Sequence, residues 1–141
     1  MTWTNAAVGD RRHQGVLIMK RIWINICLGL LAPFIALLGA APFEVPGKNP
    51  MMERVGAGLA AALYCAACQF WLMRRNSNVA HSSWLSVAAM VLAIGVICLL
   101  QMVAEGFVSW PIFAAPVFLA GSIGSVVGMV LGRSTDRSGE A

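Results

Sequence analysis

The chain has 141 residues, of which 59% are hydrophobic and only 11% are charged, and its formal net charge is +4. An ordinary soluble domain carries about a quarter charged residues, and a soluble fold of this length has no interior large enough to bury so much apolar surface. The composition therefore excludes a soluble globular domain and indicates an integral membrane protein. The positive charges flank apolar runs, which is typical of membrane topology, so we expect no nucleic-acid partner.

Four long uncharged runs predict four transmembrane helices, at about 22–41, 55–73, 84–104 and 112–131. Each run is close to the ~20 residues that a helix needs to cross the hydrocarbon core. The runs are apolar around the whole circumference, as helices must be where no water can satisfy a bare backbone. Because the connections are short, we expect consecutive helices to be antiparallel neighbours. We therefore predict an all-α membrane protein with its four transmembrane helices in a compact antiparallel bundle.

The four spans define a transmembrane domain over 22–131, with a segment outside the membrane at each end. Residues 1–21 are predicted to form a cytoplasmic N-terminal tail. Residues 132–141 are polar and poor in apolar side chains, so we predict a disordered cytoplasmic tail there.

The start of the chain admits two further interpretations. Met19, Lys20 and Arg21, followed by an apolar run that ends in small residues, resemble a secretory signal peptide, although the run is longer than such signals usually have. Met19 is also a second candidate initiator, which would make residues 1–18 extraneous or a floppy tail. Both alternatives stay open beside the interpretation of 22–41 as a first span.

Basic residues indicate the orientation of the chain, because Lys and Arg near helix ends are retained on the cytoplasmic side. Eight of the ten flank the spans on one side, and Lys48 and Arg54 lie on the other. We therefore predict a multi-pass protein of a bacterial-type inner membrane, with both termini cytoplasmic. The eight are Arg11, Arg12, Lys20, Arg21, Arg74, Arg75, Arg133 and Arg137.

The fourth run carries a glycine ridge in the manner of a glycine zipper. Gly124, Gly128 and Gly132 recur every four residues, with Gly121 one turn earlier. Residues at this spacing lie along one face of a helix and let the backbone of another helix approach closely. We predict a packing face, and two partners stay open: another helix of this chain, or a helix of a second protein or second copy. Within the chain, Gly56, Gly58 and the alanines of the second run offer a plausible partner.

The second run contains the motif Cys65-Ala-Ala-Cys68, whose thiols would project from one helix face with about 4.5 Å of rise between them. In an antiparallel hairpin centred near Lys48, facing residue numbers sum to about 95, which sets Cys27 opposite Cys68. Three thiols would suit a soft metal ion. Apolar packing is the simpler interpretation, since buried cysteine behaves like a small apolar residue. Redox chemistry and lipidation are further alternatives.

Four other polar residues lie in or beside the runs: Asn25, Gln69, Gln101 and Glu105. The same register pairs Asn25 with Gln69, and amides within lipid usually form hydrogen bonds across helices. We predict that a hydrogen bond between these two amides holds the two helices of the first hairpin together. Substrate binding is the alternative role. Gln101 lies one turn below Glu105, for which we expect solvation by headgroups. The four runs contain no charged residue of the kind on which coupled transporters rely.

No paired carboxylates, phosphate-binding glycine loop or zinc-ligand spacing occurs in the sequence, so we predict neither an enzyme nor a cofactor. Our hypothesis is a small non-catalytic integral membrane protein that acts through helix–helix contacts, as an accessory subunit, assembly factor or immunity-type protein. Its partners would be the lipid bilayer and a membrane protein or second copy bound through the fourth helix. The alternative is a small-solute or soft-metal transporter or channel that uses the intramembrane Cys, Asn and Gln side chains.

Overall fold

The computed structural model describes residues 3–43, 50–75, 82–104 and 111–139, and it is helical throughout these ranges. Its helices are α1 (Trp3–Ala40), α2 (Pro50–Arg75), α3 (Ser82–Ala104) and α4 (Pro111–Gly139), with a short 3-10 turn (Ala41–Phe43) after α1. Each of α1 to α4 contains a stretch long and apolar enough to cross a membrane: His13–Phe43, Met51–Arg75, Ser83–Ala104 and Ala114–Thr135. The four predicted helices are thus confirmed, as expected for a multi-pass membrane protein.

Helix extends beyond the predicted spans in both described flanks. α1 begins at Trp3, so the described residues before the first predicted span are helical. α4 continues to Gly139, so the described part of 132–141 is helical as well. Ser134, Thr135 and Ser138 each donate a hydrogen bond to a backbone carbonyl three or four residues earlier. These are the local back-bonds that Ser and Thr side chains make to the preceding turn of a helix.

The helices are not arranged in their order along the chain. α2 makes its most extensive contact with α4, while α1 packs on α2 and α3, and α3 packs on α4. The order around the bundle is therefore α1, α2, α4, α3. The short connections predicted that consecutive helices would be neighbours, and this expectation is wrong for α2 and α3, which face each other across the centre.

The contact between α2 and α4 depends on two glycines of α4. A β-carbon at Gly124 would lie 2.8 Å from the Cα atom of Ala62, and one at Gly128 would lie 2.8 Å from the Cα atom of Ala66. The backbones therefore touch without side chains between them, as in small-residue interfaces of membrane proteins. Because the contacting residue numbers rise together, α2 and α4 run in the same direction. The glycine ridge faces a helix of its own chain.

Glycines also bring α1 close to both of its neighbours. A β-carbon at Gly29 would lie 2.9 Å from the carbonyl oxygen of Met90 on α3. One at Gly39 would lie 2.9 Å from the carbonyl oxygen of Gly56 on α2. Side chains at these positions would push the helices apart, so close backbone approach recurs at three of the helix interfaces.

We expect Gly128→Ala to lower the free energy of unfolding by about 1–3 kcal/mol, because the added methyl group would overlap the backbone of α2. Denaturant unfolding of the purified protein in detergent micelles measures this change. Gly15→Ala is the matched control, since a β-carbon there meets nothing within 4 Å, and alanine is the better helix former. Equal losses in the two variants would contradict the role assigned to close packing.

Candidate functional site

A cluster of polar side chains lies where the four helices meet, towards the end of the bundle that carries Arg74 and Arg75. Each helix contributes to it, and each member is at most 1% exposed. Within a bilayer no water is available to such groups, so their hydrogen bonds must be made inside the bundle. We call this set the polar cluster, and it comprises Asn25, Gln69, Ser86, Met90 and Ser125.

Gln69 of α2 is the hub of the polar cluster. Its Nε2 atom donates hydrogen bonds to Oδ1 of Asn25 at 2.8 Å and to Sδ of Met90 at 3.3 Å. Its Oε1 atom accepts a hydrogen bond from Oγ of Ser86 at 3.4 Å. One side chain therefore joins α2 to both α1 and α3. The bond to Asn25 confirms the pairing that the hairpin register predicted.

The other members of the polar cluster also bond within the bundle. Asn25 donates from Nδ2 to the carbonyl oxygen of Arg21 at 2.7 Å. Ser125 donates from Oγ to the carbonyl oxygen of Gly121 at 2.8 Å and approaches Sδ of Met90 at 3.5 Å. Amides, hydroxyls and a thioether supply donors and acceptors but no group that ionises near neutral pH. The arrangement can hold helices together, and it offers no carrier for a proton.

Arg21 lies one helical turn beyond the polar cluster. It was not predicted as a site residue because it falls within the predicted N-terminal tail. Its side chain is only 6% exposed, and Nη2 donates to Sδ of Met73 at 3.4 Å. At the same end of the bundle, Nη2 of Arg133 donates to Oγ of Ser83. The spacing in the sequence could have indicated this position, because Arg21 precedes Asn25 by four residues and the two therefore share a helix face.

The three cysteines predicted as soft-metal ligands do not meet. Cys65 is buried and Cys68 is half-buried on α2, whereas Cys27 is exposed on α1. Cys27 follows Asn25 by two residues, which is about 200° around a helix, so it points outward when Asn25 faces the bundle. Among the described residues no three His, Cys, Asp or Glu side chains could share a metal ion. The predicted metal site is therefore not formed by these thiols, and Cys65 packs in the core with Met90.

The remaining predicted site residues lie apart from the polar cluster. Gln101 is partly buried near the far end of α3, and its Oε1 atom has no hydrogen-bond partner among the described residues. Glu105 falls outside the described residues. Gly132 packs against α2, and Gly121 packs against α3. The members of the polar cluster that the sequence did not single out are Ser86, Met90 and Ser125. A serine within an apolar run was the available signal for the two serines.

Two grooves open on the outside of the bundle, one on each side of α4. The α3–α4 groove has a volume of about 350 Å³, and the α2–α4 groove has about 520 Å³. The first is lined by apolar and small residues that include Gly95, Cys98, Leu99, Ala114, Ala115 and Phe118. The second includes one charged residue, and its lining includes Arg54, Val55, Gly58, Leu59, Ala62 and Ala120. The grooves thus differ in charge although they share a helix.

The chain matches no protein-family model, no curated protein and no solved structure. Its function is therefore inferred from the polar cluster and the two grooves. The polar cluster bonds internally, and the two grooves face outward.

We expect Gln69→Leu to lower the free energy of unfolding by about 1–2 kcal/mol, the range measured for hydrogen bonds between membrane helices. The substitution removes bonds from α2 to α1 and α3, and it leaves Oδ1 of Asn25 without its donor. Thermal or denaturant unfolding in micelles reports the loss.

Gln101→Leu is the matched control, because it makes the same chemical change at an amide whose Oε1 atom has no partner among the described residues. Its stability should equal or exceed that of the unaltered protein. If Gln101→Leu destabilised the protein as much as Gln69→Leu, the bonds of the polar cluster would not explain the effect.

Proposed function

We propose that the helices cross a bacterial-type cytoplasmic membrane in alternating directions, as an antiparallel bundle with both termini in the cytoplasm. The support is a concentration of basic residues at the end of the bundle beyond the polar cluster, since cytoplasmic ends of spans carry an excess of Lys and Arg. Exposed tryptophan rings occur near the same end, as at a membrane interface. These residues are Arg21, Arg74, Arg75, Arg133, Trp23, Trp71 and Trp84.

This topology predicts opposite behaviour for two reporter positions. A reporter that is active only in the cytoplasm should work when fused after Ala141 and fail when inserted after Lys48. A reporter that is active only outside the cytoplasmic membrane should show the reverse. Activity of the first reporter at both positions would contradict the proposed topology.

We infer that the protein is a small, non-catalytic membrane protein that acts through helix contacts, as an accessory subunit, assembly factor or immunity-type protein. The observation that carries this inference is that the polar cluster bonds to itself at the centre of the bundle. The polar cluster contains no ionisable side chain that could serve proton coupling. The surfaces left for function are therefore those that face the bilayer.

We assign the contact with a partner helix to the α3–α4 groove. Gly95, Ala114 and Ala115 are small, and small residues allow the backbone of another helix to approach closely in a membrane. Leu99 and Phe118 complete the lining and offer apolar area for contact. The fourth helix would thus remain the contact helix, through its alanine side, because α2 already covers the glycine ridge.

The transport alternative has weaker support. It relied on three thiols and two amides that would share one site. Asn25 and Gln69 bond to each other, and Cys27 points away from Cys65. We therefore carry forward the contact function alone.

Site-specific photo-crosslinking tests the partner contact in native membranes. A photoreactive residue at Leu99, which is 61% exposed and lines the α3–α4 groove, should give a discrete protein adduct. The same residue at Leu63 of α2, which is 69% exposed and lies outside that groove, should give none. The adduct mass distinguishes a second copy of this chain from another protein. Equal crosslinking at both positions, or none at Leu99, would overturn the assignment.

Ala115→Trp adds a second arm to this experiment. Its indole ring should fill the α3–α4 groove and reduce the Leu99 adduct, whereas Val96→Trp places the same ring on exposed surface outside the groove. Loss of the adduct in the first variant alone would support a contact within the groove. Loss in both would indicate a general disturbance of the membrane surface.

A further inference from the structure

We propose that the α2–α4 groove binds one anionic phospholipid, with the lipid phosphate on Arg54 and an acyl chain along the small residues below it. Arg54 lines this groove together with Gly58, Ala62 and Ala120. The site therefore combines one positive charge with a narrow apolar channel. That combination matches the two chemical parts of a phospholipid.

Arg54 is placed where a lipid headgroup would lie. It stands near the beginning of the apolar stretch Met51–Arg75, so it falls at the membrane interface when that stretch spans the bilayer. Its side chain makes no ion pair with any residue in the described ranges. Glu53, its neighbour in sequence, does not line the groove. A guanidinium group binds phosphate with two parallel hydrogen bonds, so a phosphate at this height would be held both by charge and by geometry.

The groove below Arg54 has room for an acyl chain because its floor lacks large side chains. A β-carbon at Gly58 would lie 3.6 Å from Cβ of Ala120, so these two small residues are in ordinary contact at the floor of the groove. From Arg54 to Ala62 the helix rises about 12 Å, so the channel runs from the interface towards the middle of one leaflet. Leu59 and Ile123 are exposed and border the channel with apolar surface.

The arginines at the other end of α2 are arranged differently. Arg74 lies over the ring of Phe70 at 5.7 Å, and Arg75 lies over the ring of Trp71 at 5.2 Å. Both pack on aromatic rings of their own helix and neither lines the α2–α4 groove. A phospholipid suits Arg54 better than a partner helix does, because the lipid carries its negative charge at interface height and its acyl chain in the apolar channel.

Native mass spectrometry of the full chain tests this proposal. The protein is reconstituted in nanodiscs of equal parts phosphatidylglycerol and phosphatidylcholine and then released into the gas phase. We expect one retained phosphatidylglycerol on the unaltered protein and about tenfold less on Arg54→Gln, the scale of one charge-assisted hydrogen bond. Arg75→Gln makes the same charge change outside the groove and should retain the lipid.

Two further variants keep the result interpretable. Arg54→Lys retains the charge without the planar fork, so lipid retention should fall between that of the unaltered protein and that of Arg54→Gln. Ala120→Trp fills the groove and leaves Arg54 in place, so it should also release the lipid. A thermal midpoint measured for each variant identifies any that fails to fold.

The outcomes separate clearly. Loss of phosphatidylglycerol in Arg54→Gln and Ala120→Trp, with retention in Arg75→Gln, supports the site. Equal retention in all variants, equal loss in both arginine variants, or retention of phosphatidylcholine in place of phosphatidylglycerol overturns it. The measurement uses purified protein without a partner, so its result does not depend on the helix contact proposed for the α3–α4 groove.

Discussion

Gly124 and Gly128 let the backbone of α4 lie directly against that of α2, and the positions of the other helices follow from this contact. In a bilayer the lipid chains are as apolar as leucine, so helices gain little by hiding apolar side chains from their surroundings. Close van der Waals contact between backbones supplies the attraction instead. Because α4 occupies this side of α2, α3 is left to pack on α1 and α4.

The hydrogen bonds of the polar cluster determine the rotation and depth at which the helices pack. A hydrogen bond between helices is satisfied at only one rotation and one depth, whereas apolar side chains tolerate many. Turning α2 by one residue would move Gln69 by about 100° and carry its amide towards lipid. The bonds from Gln69 to Asn25 and Ser86 therefore determine which face of α2 looks inward. They join α2 to α3 across the centre, where the two helices make little other contact.

These two interactions leave α4 with different surroundings on its two flanks. On one flank the α2–α4 groove ends at Arg54, and on the other the α3–α4 groove is lined by apolar and small residues. A charge at the membrane interface favours a ligand that brings a phosphate to that height. An uncharged groove with a small-residue floor favours the side chains of another helix. The same helix would thus separate a lipid contact from a protein contact.

The sequence by itself determined the class of protein, the four helices and one long-range contact. Length and lack of charge identify the spans, because a long apolar helix satisfies its own backbone hydrogen bonds in lipid. A hairpin register was enough to pair Asn25 with Gln69. The second run was already a plausible partner for the glycine ridge. The tertiary structure decided the order of the helices around the bundle and that Cys27 points outward. The sequence did not predict these two features, because a helix that is apolar on all sides has no amphipathic pattern to indicate which face points into the bundle. Only the fit of one backbone against another distinguishes their faces.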